Sequence, residues 1–184
     1  MKGATSTHEG NAQVQEEASG GFLHLVHSFA PVFDECSRVL ILGSFPSVAS
    51  REECFYYGHP RNRFWKVLSC VLGAPQPSTI EQKVRLLVAN HVALWDVVFS
   101  CDVRRSEDAS IKNVIANDLT LVLKAAPISK VCLNGGKAFS LYKKLCHPLY
   151  PLPCQMLPST SAANASCSFE KLCCVWGEAL CDLC

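Results

Sequence analysis

The chain of 184 residues has no apolar run near the ~18 residues that span a bilayer, so a helical membrane anchor is not expected. Its first twenty residues lack the apolar stretch of a secretory signal. They carry Glu9, Glu16 and Glu17 but no Arg, which also argues against a mitochondrial presequence. Neither sign of charge prevails: 17 basic and 16 acidic residues leave a net charge of +1, and the total points to no nucleic-acid partner. No zinc signature, GxSxG elbow or pair of catalytic carboxylates occurs, so neither metal nor cofactor is expected. Charged residues are few, at 18%, and hydrophobic ones reach 49%, which excludes a disordered chain. The length suits one domain, expected over residues 21–184 behind a flexible polar leader at residues 1–20.

Cysteine, by contrast, is abundant, with twelve in the chain. Without a signal peptide these are expected as free thiols. Cys36, Cys54, Cys70, Cys101, Cys132, Cys146 and Cys154 stand singly in apolar stretches and read as small buried hydrophobes. Cys173, Cys174, Cys181 and Cys184 cluster, and Cys181-x-x-Cys184 has the spacing of half a metal or redox site. No His accompanies them, and the helical periodicity there makes them a helix face.

Arg38-Val-Leu-Ile-Leu-Gly43 is β-rich and unbroken by polar residues after Arg38, as in a strand covered on both faces. It runs into the turn Gly43-Ser44-Phe45-Pro46-Ser47 and a long loop to about His59. Further strands are expected over residues 91–98, 128–133 and 154–157. Helices are expected over residues 22–33, from Phe64 to Leu72, after the capping-box form Ser78-Thr79-Ile80-Glu81, over residues 117–126, beyond Gly136, and from Ser168 onward. His24 and His27 fall on the first of these, as packing or solvent-facing residues. Strands alternating with helices define an α/β class with a mainly parallel sheet. Ligands of such sheets sit at the carboxyl ends of strands, which singles out the loops after Gly43, Asp96, Leu133 and Leu157.

Cys54-Phe-Tyr-Tyr-Gly-His-Pro-Arg-Asn-Arg-Phe-Trp65 packs five aromatic rings, a His, two Arg and an Asn into twelve positions. Rings can stack on a nucleobase and interleaved Arg can hold phosphates. Trp65 and part of Phe64 belong to the core of the following helix. Asn62 is either the N-cap of that helix or a site residue. Leu157-Pro-Ser-Thr-Ser-Ala-Ala-Asn164 is a tight polar loop able to donate to phosphates, or a plain capped turn. Asn134-Gly-Gly-Lys137 lets a helix N-terminus approach an anion, though it is no Walker loop. Asp96 lies inside an apolar run and needs a partner, structural or ligand.

These segments, Gly43-Ser-Phe-Pro-Ser47, Tyr56-Tyr-Gly-His-Pro-Arg-Asn-Arg-Phe-Trp65, Leu94-Trp-Asp-Val-Val98, Asn134-Gly135 and Leu157-Pro-Ser-Thr-Ser161, resemble the uracil-DNA glycosylase superfamily. Within it they are most similar to the hypoxanthine-DNA (deoxyinosine) glycosylase family. The resemblance implies a three-layer α/β/α sandwich around a central, mainly parallel four-stranded sheet. It implies a monofunctional DNA glycosylase of base excision repair that flips a deaminated base, hypoxanthine foremost, from double-stranded DNA and hydrolyses its N-glycosidic bond. A uracil- or mismatch-specific enzyme on the same fold is the alternative, and a non-catalytic nucleic-acid-binding domain a further one.

By the same resemblance Asn62 is catalytic, positioning water and donating to the departing base. Gly43, Ser44, Phe45, Pro46, Tyr57, His59, Phe64 and Asp96 form the base pocket, with Tyr57 as the stacking ring and Asp96 where relatives place a base-reading amide. Ser47, Arg61, Asn134, Gly135, Lys137, Pro158, Ser159, Thr160 and Ser161 face the DNA. Phe45 replaces the superfamily's acidic or amide residue, as in the hypoxanthine branch, and Ala162 replaces a family Pro. A monomer is expected, inside the cell: nuclear in a eukaryote, cytoplasmic in a bacterium.

By segment, the charge is no longer neutral. Residues 1–35 carry a net −4, residues 54–72 a net +3, residues 103–160 a net +5 and residues 161–184 a net −2. A basic middle lies between acidic ends and holds most of the candidate DNA-facing loops.

Overall fold

The computed structural model describes residues 17–18, 22–104 and 107–181. Most of the expected leader, and Cys184, lie outside the described residues. In chain order the elements are β1 (Glu17–Ala18), β2 (Phe22–Val26), β3 (Val39–Gly43), α1 (Val48–Glu52), α2 (Phe64–Val71), α3 (Ile80–Ala89) and β4 (Val92–Asp96). There follow β5 (Val98–Arg104), β6 (Glu107–Ala116), α4 (Thr120–Leu123), β7 (Lys130–Asn134), α5 (Gly136–Leu145), β8 (Cys154–Leu157) and α6 (Phe169–Leu180).

Strands β4, β3, β7 and β8 form, in that order, a parallel sheet of four strands. Every residue of β3 and β4 is buried. Since alternate side chains point to opposite faces, both faces of the sheet centre are covered, as the α/β sandwich requires. The apolar stripe of α2 is buried and packs on α6, where Phe64 meets Trp176 edge-on with ring centroids 5.8 Å apart. A capping box starts α3, but one residue later than the expected Ser78–Glu81 pair. Thr79 Oγ1 accepts from the Gln82 N–H, and Gln82 Oε1 accepts from the Thr79 N–H. Ser168 caps α6 through the Lys171 N–H.

Several expectations fail locally. Residues 22–33 are not a helix. Residues 22–26 form β2 and pair with β5 from Phe22↔Arg104 to Val26↔Ser100, because partners far along the chain override a local helical stripe. Together β1, β2, β5 and β6 make a second, antiparallel sheet that local periodicity did not disclose. The strand expected over residues 91–98 ends at Asp96, and β5 starts at Val98. The helix expected over residues 117–126 contracts to α4, and the loop before His59 contains α1. Cys101, Cys132 and Cys146 are buried as expected, but Cys36, Cys54 and Cys70 are exposed and Cys154 is partly so.

Candidate active site

A cleft of about 200 Å3 lies at the carboxyl ends of the parallel strands. Gly43, Ser44, Phe45, Pro46 and Ser47 reach it from β3, Asp96 from β4, Asn134 from β7, and Ser159, Thr160 and Ser161 from the loop after β8. The loop before α2 adds Tyr57 and Asn62. All four strand-end loops singled out by the topology thus converge with the aromatic segment.

The backbone clamps these loops together. The Arg63 N–H donates to the Thr160 carbonyl at 3.0 Å. The Arg63 guanidinium donates to the carbonyls of Cys167, Ser161 and Asn164 at 2.5, 3.1 and 2.9 Å. Arg63 is therefore a clasp between the two loops, facing carbonyls.

A chain of hydrogen bonds then fixes Asn62. The Phe64 N–H can only donate, and it bonds the Asn62 side chain at 3.0 Å, so the atom there is Oδ1. The same oxygen accepts from Thr160 Oγ1–H at 3.0 Å. Thr160 Oγ1 in turn accepts from Asn134 Nδ2 at 3.0 Å, while Asn134 Oδ1 accepts from the Thr160 N–H at 3.0 Å. Each direction follows from the one before, and Thr160 is fully buried. A carbonyl oxygen has two lone pairs and both are used. Asn62 can therefore offer the cleft only its NH2 group: it is a donor there and cannot serve as a base.

Opposite stands Asp96, the one carboxylate lining the cleft among the described residues. After it the chain leaves β4 with the N–H groups of Val97 and Val98 donating to the Gly43 and Ser44 carbonyls, which sets Asp96 over the β3 turn. Its Oδ2 accepts from His27 Nε2 at 3.0 Å, and both side chains are buried, 1% and 7% exposed. Its Oδ1 lies over Gly43, where a Cβ would be only 2.2 Å away and 3.1 Å from Tyr57 Oη. Glycine is thus required at position 43 by proximity.

Tyr57 has φ 53°, a left-handed conformation costing a bulky residue roughly 1–3 kcal/mol. Its ring stacks on Phe64 with centroids 3.9 Å apart and planes 18° from parallel, which holds it there. Burial, and then the Asp96 carboxylate, push the Tyr57 hydroxyl well above the ordinary tyrosine range; the Asn134 side chain opposes this. Oη therefore stays protonated, and it makes no full hydrogen bond among the described residues.

Other expected site residues stand further off. Phe64 is fully buried behind Tyr57 and does not line the cleft. His59 does not line it either: its Nδ1 accepts from the Arg61 N–H and its carbonyl from the Asn62 N–H, which shapes the turn presenting Asn62. Arg61 and Lys137 are exposed, and Pro158 is half-buried. Gly135, at φ 95°, caps α5, and a Cβ there would stand 3.0 Å from that of Ser159. Ser159 and Ser161 turn back on their own loop, accepting from the Ser161 and Ala163 N–H groups. Two residues of consequence escaped sequence reasoning. His27 was hidden because the segment holding it was read as a helix, and Arg63 because an Arg in a basic loop reads as a phosphate ligand.

Residues 30–183 match the family model of the uracil DNA glycosylase superfamily. Two curated relatives, each named hypoxanthine DNA glycosylase, come from Methanosarcina barkeri and Methanosarcina acetivorans. The first is 34% identical over 137 residues and the second 35% over 138, each alignment covering 74% of this chain and 86% of the relative. The solution NMR structure of a Methanosarcina acetivorans protein described as a uracil DNA glycosylase superposes with a TM-score of 0.74 at 32% identity, over 84% of this chain and 96% of that one.

Proposed function

Since the chain belongs to the uracil DNA glycosylase superfamily, we propose that it is a DNA glycosylase of base excision repair that releases a deaminated base, hypoxanthine first among them, from double-stranded DNA. The observation that carries this reading is the Asn62 amide, whose oxygen is taken up by the Phe64 N–H and the Thr160 hydroxyl so that only its NH2 group is left for the cleft it lines. In the reaction water bonds to C1′ as the C1′–N bond breaks. The electron pair leaves with the base, which takes up the water's proton. Negative charge thus develops on the departing ring, and a fixed neutral donor stabilises it without itself taking a proton.

Flipping delivers the base to the cleft. Tyr57, braced by Phe64, offers a ring at its wall, and the Asp96 carboxylate at its floor accepts from a ring N–H. Arg61, Ser47, Lys137, Gly135 and the Pro158–Ser161 loop lie toward the duplex in this reading, and phosphates are met at the rim. No lysine lines the cleft among the described residues, so a Schiff base with the sugar is not part of this reading.

Duplexes containing inosine, uracil, xanthine or a G·T mismatch, treated with the protein and then with alkali, test the reading. Inosine strands are expected to be cut most efficiently, and Asn62→Ala to abolish release with duplex affinity retained. Absence of cutting in every duplex, or full activity of the Asn62→Ala protein, would falsify it.

A further inference from the structure

The residue that follows β2 of the antiparallel sheet reaches the carboxylate of the cleft. β2 ends at Val26, and the next residue, His27, is tied to β5 by its N–H donating to the Phe99 carbonyl at 2.7 Å. Its ring is boxed by Phe29, Tyr56 and Phe45, with centroids 4.5, 6.1 and 6.4 Å away. A ring so enclosed has no room to swing, and its Nε2 meets Asp96 Oδ2 at 3.0 Å. Among the described residues that line the cleft Asp96 is the one charged side chain, and the Tyr56 and Tyr57 hydroxyls there are pushed upward by burial and stay protonated. Tyr56 spends its proton on the Ala30 carbonyl at 2.9 Å.

We propose that His27 is a specificity-determining positioning residue: by donating to one oxygen of Asp96 it fixes the other as an acceptor in the cleft, so that the site selects bases carrying a ring N–H over bases carrying a ring lone pair. This rests on the base-excision reading of the cleft. Deamination makes this chemical change. Adenine presents a lone pair at N1 beside an amino group, and hypoxanthine presents an N–H beside a carbonyl. Cytosine and uracil differ in the same way at N3. A carboxylate held as an acceptor bonds the deaminated ring and repels the lone pair of the intact one. Without the His27 donor the carboxylate is free to turn about its Cβ–Cγ bond, so no acceptor is held at the base edge and the discrimination weakens.

The test measures binding of free hypoxanthine and free adenine to the whole protein by calorimetry, alongside excision from inosine duplexes. The native protein is expected to prefer hypoxanthine by at least tenfold. His27→Phe should bring the ratio toward one, and so should Asp96→Asn, whose amide can present either an oxygen or an NH2. His27→Gln sets an NH2 near the lost Nε2 and should restore most of the preference, which a purely structural role would not require. Melting curves identify any variant that fails to fold, and the Gln and Asn variants then carry the comparison. Equal affinity of the native protein for the two purines, or an unchanged ratio in His27→Phe, overturns the proposal whether or not duplexes are cut. Selective base binding without excision of any duplex would leave the His27 assignment standing and defeat the glycosylase reading.

Discussion

Replacing Thr160 by Val removes a hydroxyl and keeps the shape of a fully buried side chain. Two hydrogen bonds go with it, the donation to Asn62 Oδ1 and the acceptance from Asn134 Nδ2. The backbone bond from the Thr160 N–H to Asn134 Oδ1 survives. Asn134 Nδ2 is left without this acceptor; an unsatisfied buried group costs about 1–3 kcal/mol, and Asn134, half-buried and lining the cleft, falls at the low end. A loss of about 1 kcal/mol lowers Tm by roughly 2–4 °C in a chain of this size. The catalytic effect is separate. Asn62 keeps only the Phe64 N–H bond, one pivot about which the amide can turn. Deleting a preorganised donor outright costs roughly 10²–10³ in rate, so loosening one is expected to cost about 10- to 100-fold. The assay is single-turnover release of hypoxanthine with enzyme in excess, with duplex affinity measured alongside and expected to hold. Thr160→Ser keeps the hydroxyl and should recover most of the rate. Native-rate excision by Thr160→Val, or an equal loss in Thr160→Ser, would refute the relay.

Gly43→Ala places a Cβ 2.2 Å from Asp96 Oδ1, so the carboxylate must move. Excision should fall far more than duplex affinity, and a wild-type excision rate would show that Asp96 need not stand there. Asp102 is held below the ordinary carboxylate range by Asn113 and then His24. A depressed carboxylate stabilises above its unfolded value and loses that contribution as pH falls through its folded one. Hydrogen exchange of β2 and β6 amides should therefore quicken below the usual Asp range more than that of β3, and equal quickening would argue against the link. Finally, affinity for undamaged duplex should fall steeply with salt, as the basic middle segments require. A salt-independent affinity would contradict that charge pattern.

The parallel sheet was legible because its signals are local. Val39-Leu-Ile-Leu-Gly43 and Val92-Ala-Leu-Trp-Asp96 are buried throughout, and such runs announce themselves as apolar segments closed by turn residues. The cleft was legible as a set of loops because strand ends gather ligands whatever their sequence. The division of labour among those loops was not. Thr160 and Asn134 read as phosphate contacts, yet they hold Asn62, across 98 residues of sequence in the case of Thr160. His27 and Asp96 are 69 residues apart, and nothing in the spacing of either announces the other. Of the alternatives for Asn62, the N-cap fails by one residue: Arg63 holds that position and no side chain caps α2. The Asn62 oxygen instead takes the Phe64 N–H and the Thr160 hydroxyl, which leaves its amide nitrogen for the cleft.

A buried carboxylate is an odd floor for a site that approaches a polyanion, and the geometry resolves this by depth. Asp96 is 5% exposed and paired with His27, while Arg61 and Lys137 are exposed. In the proposed reading phosphates meet the exposed cations, and only the neutral base descends to the carboxylate. Screening by salt acts on exposed charges and far less on buried pairs. The two levels therefore separate experimentally. Raising salt should weaken inosine and undamaged duplexes in the same proportion and leave the preference between free hypoxanthine and adenine nearly constant. Changing His27 should do the reverse at fixed salt. A base preference that collapses with salt would place the discriminating charge at the rim, and the floor would then need another role.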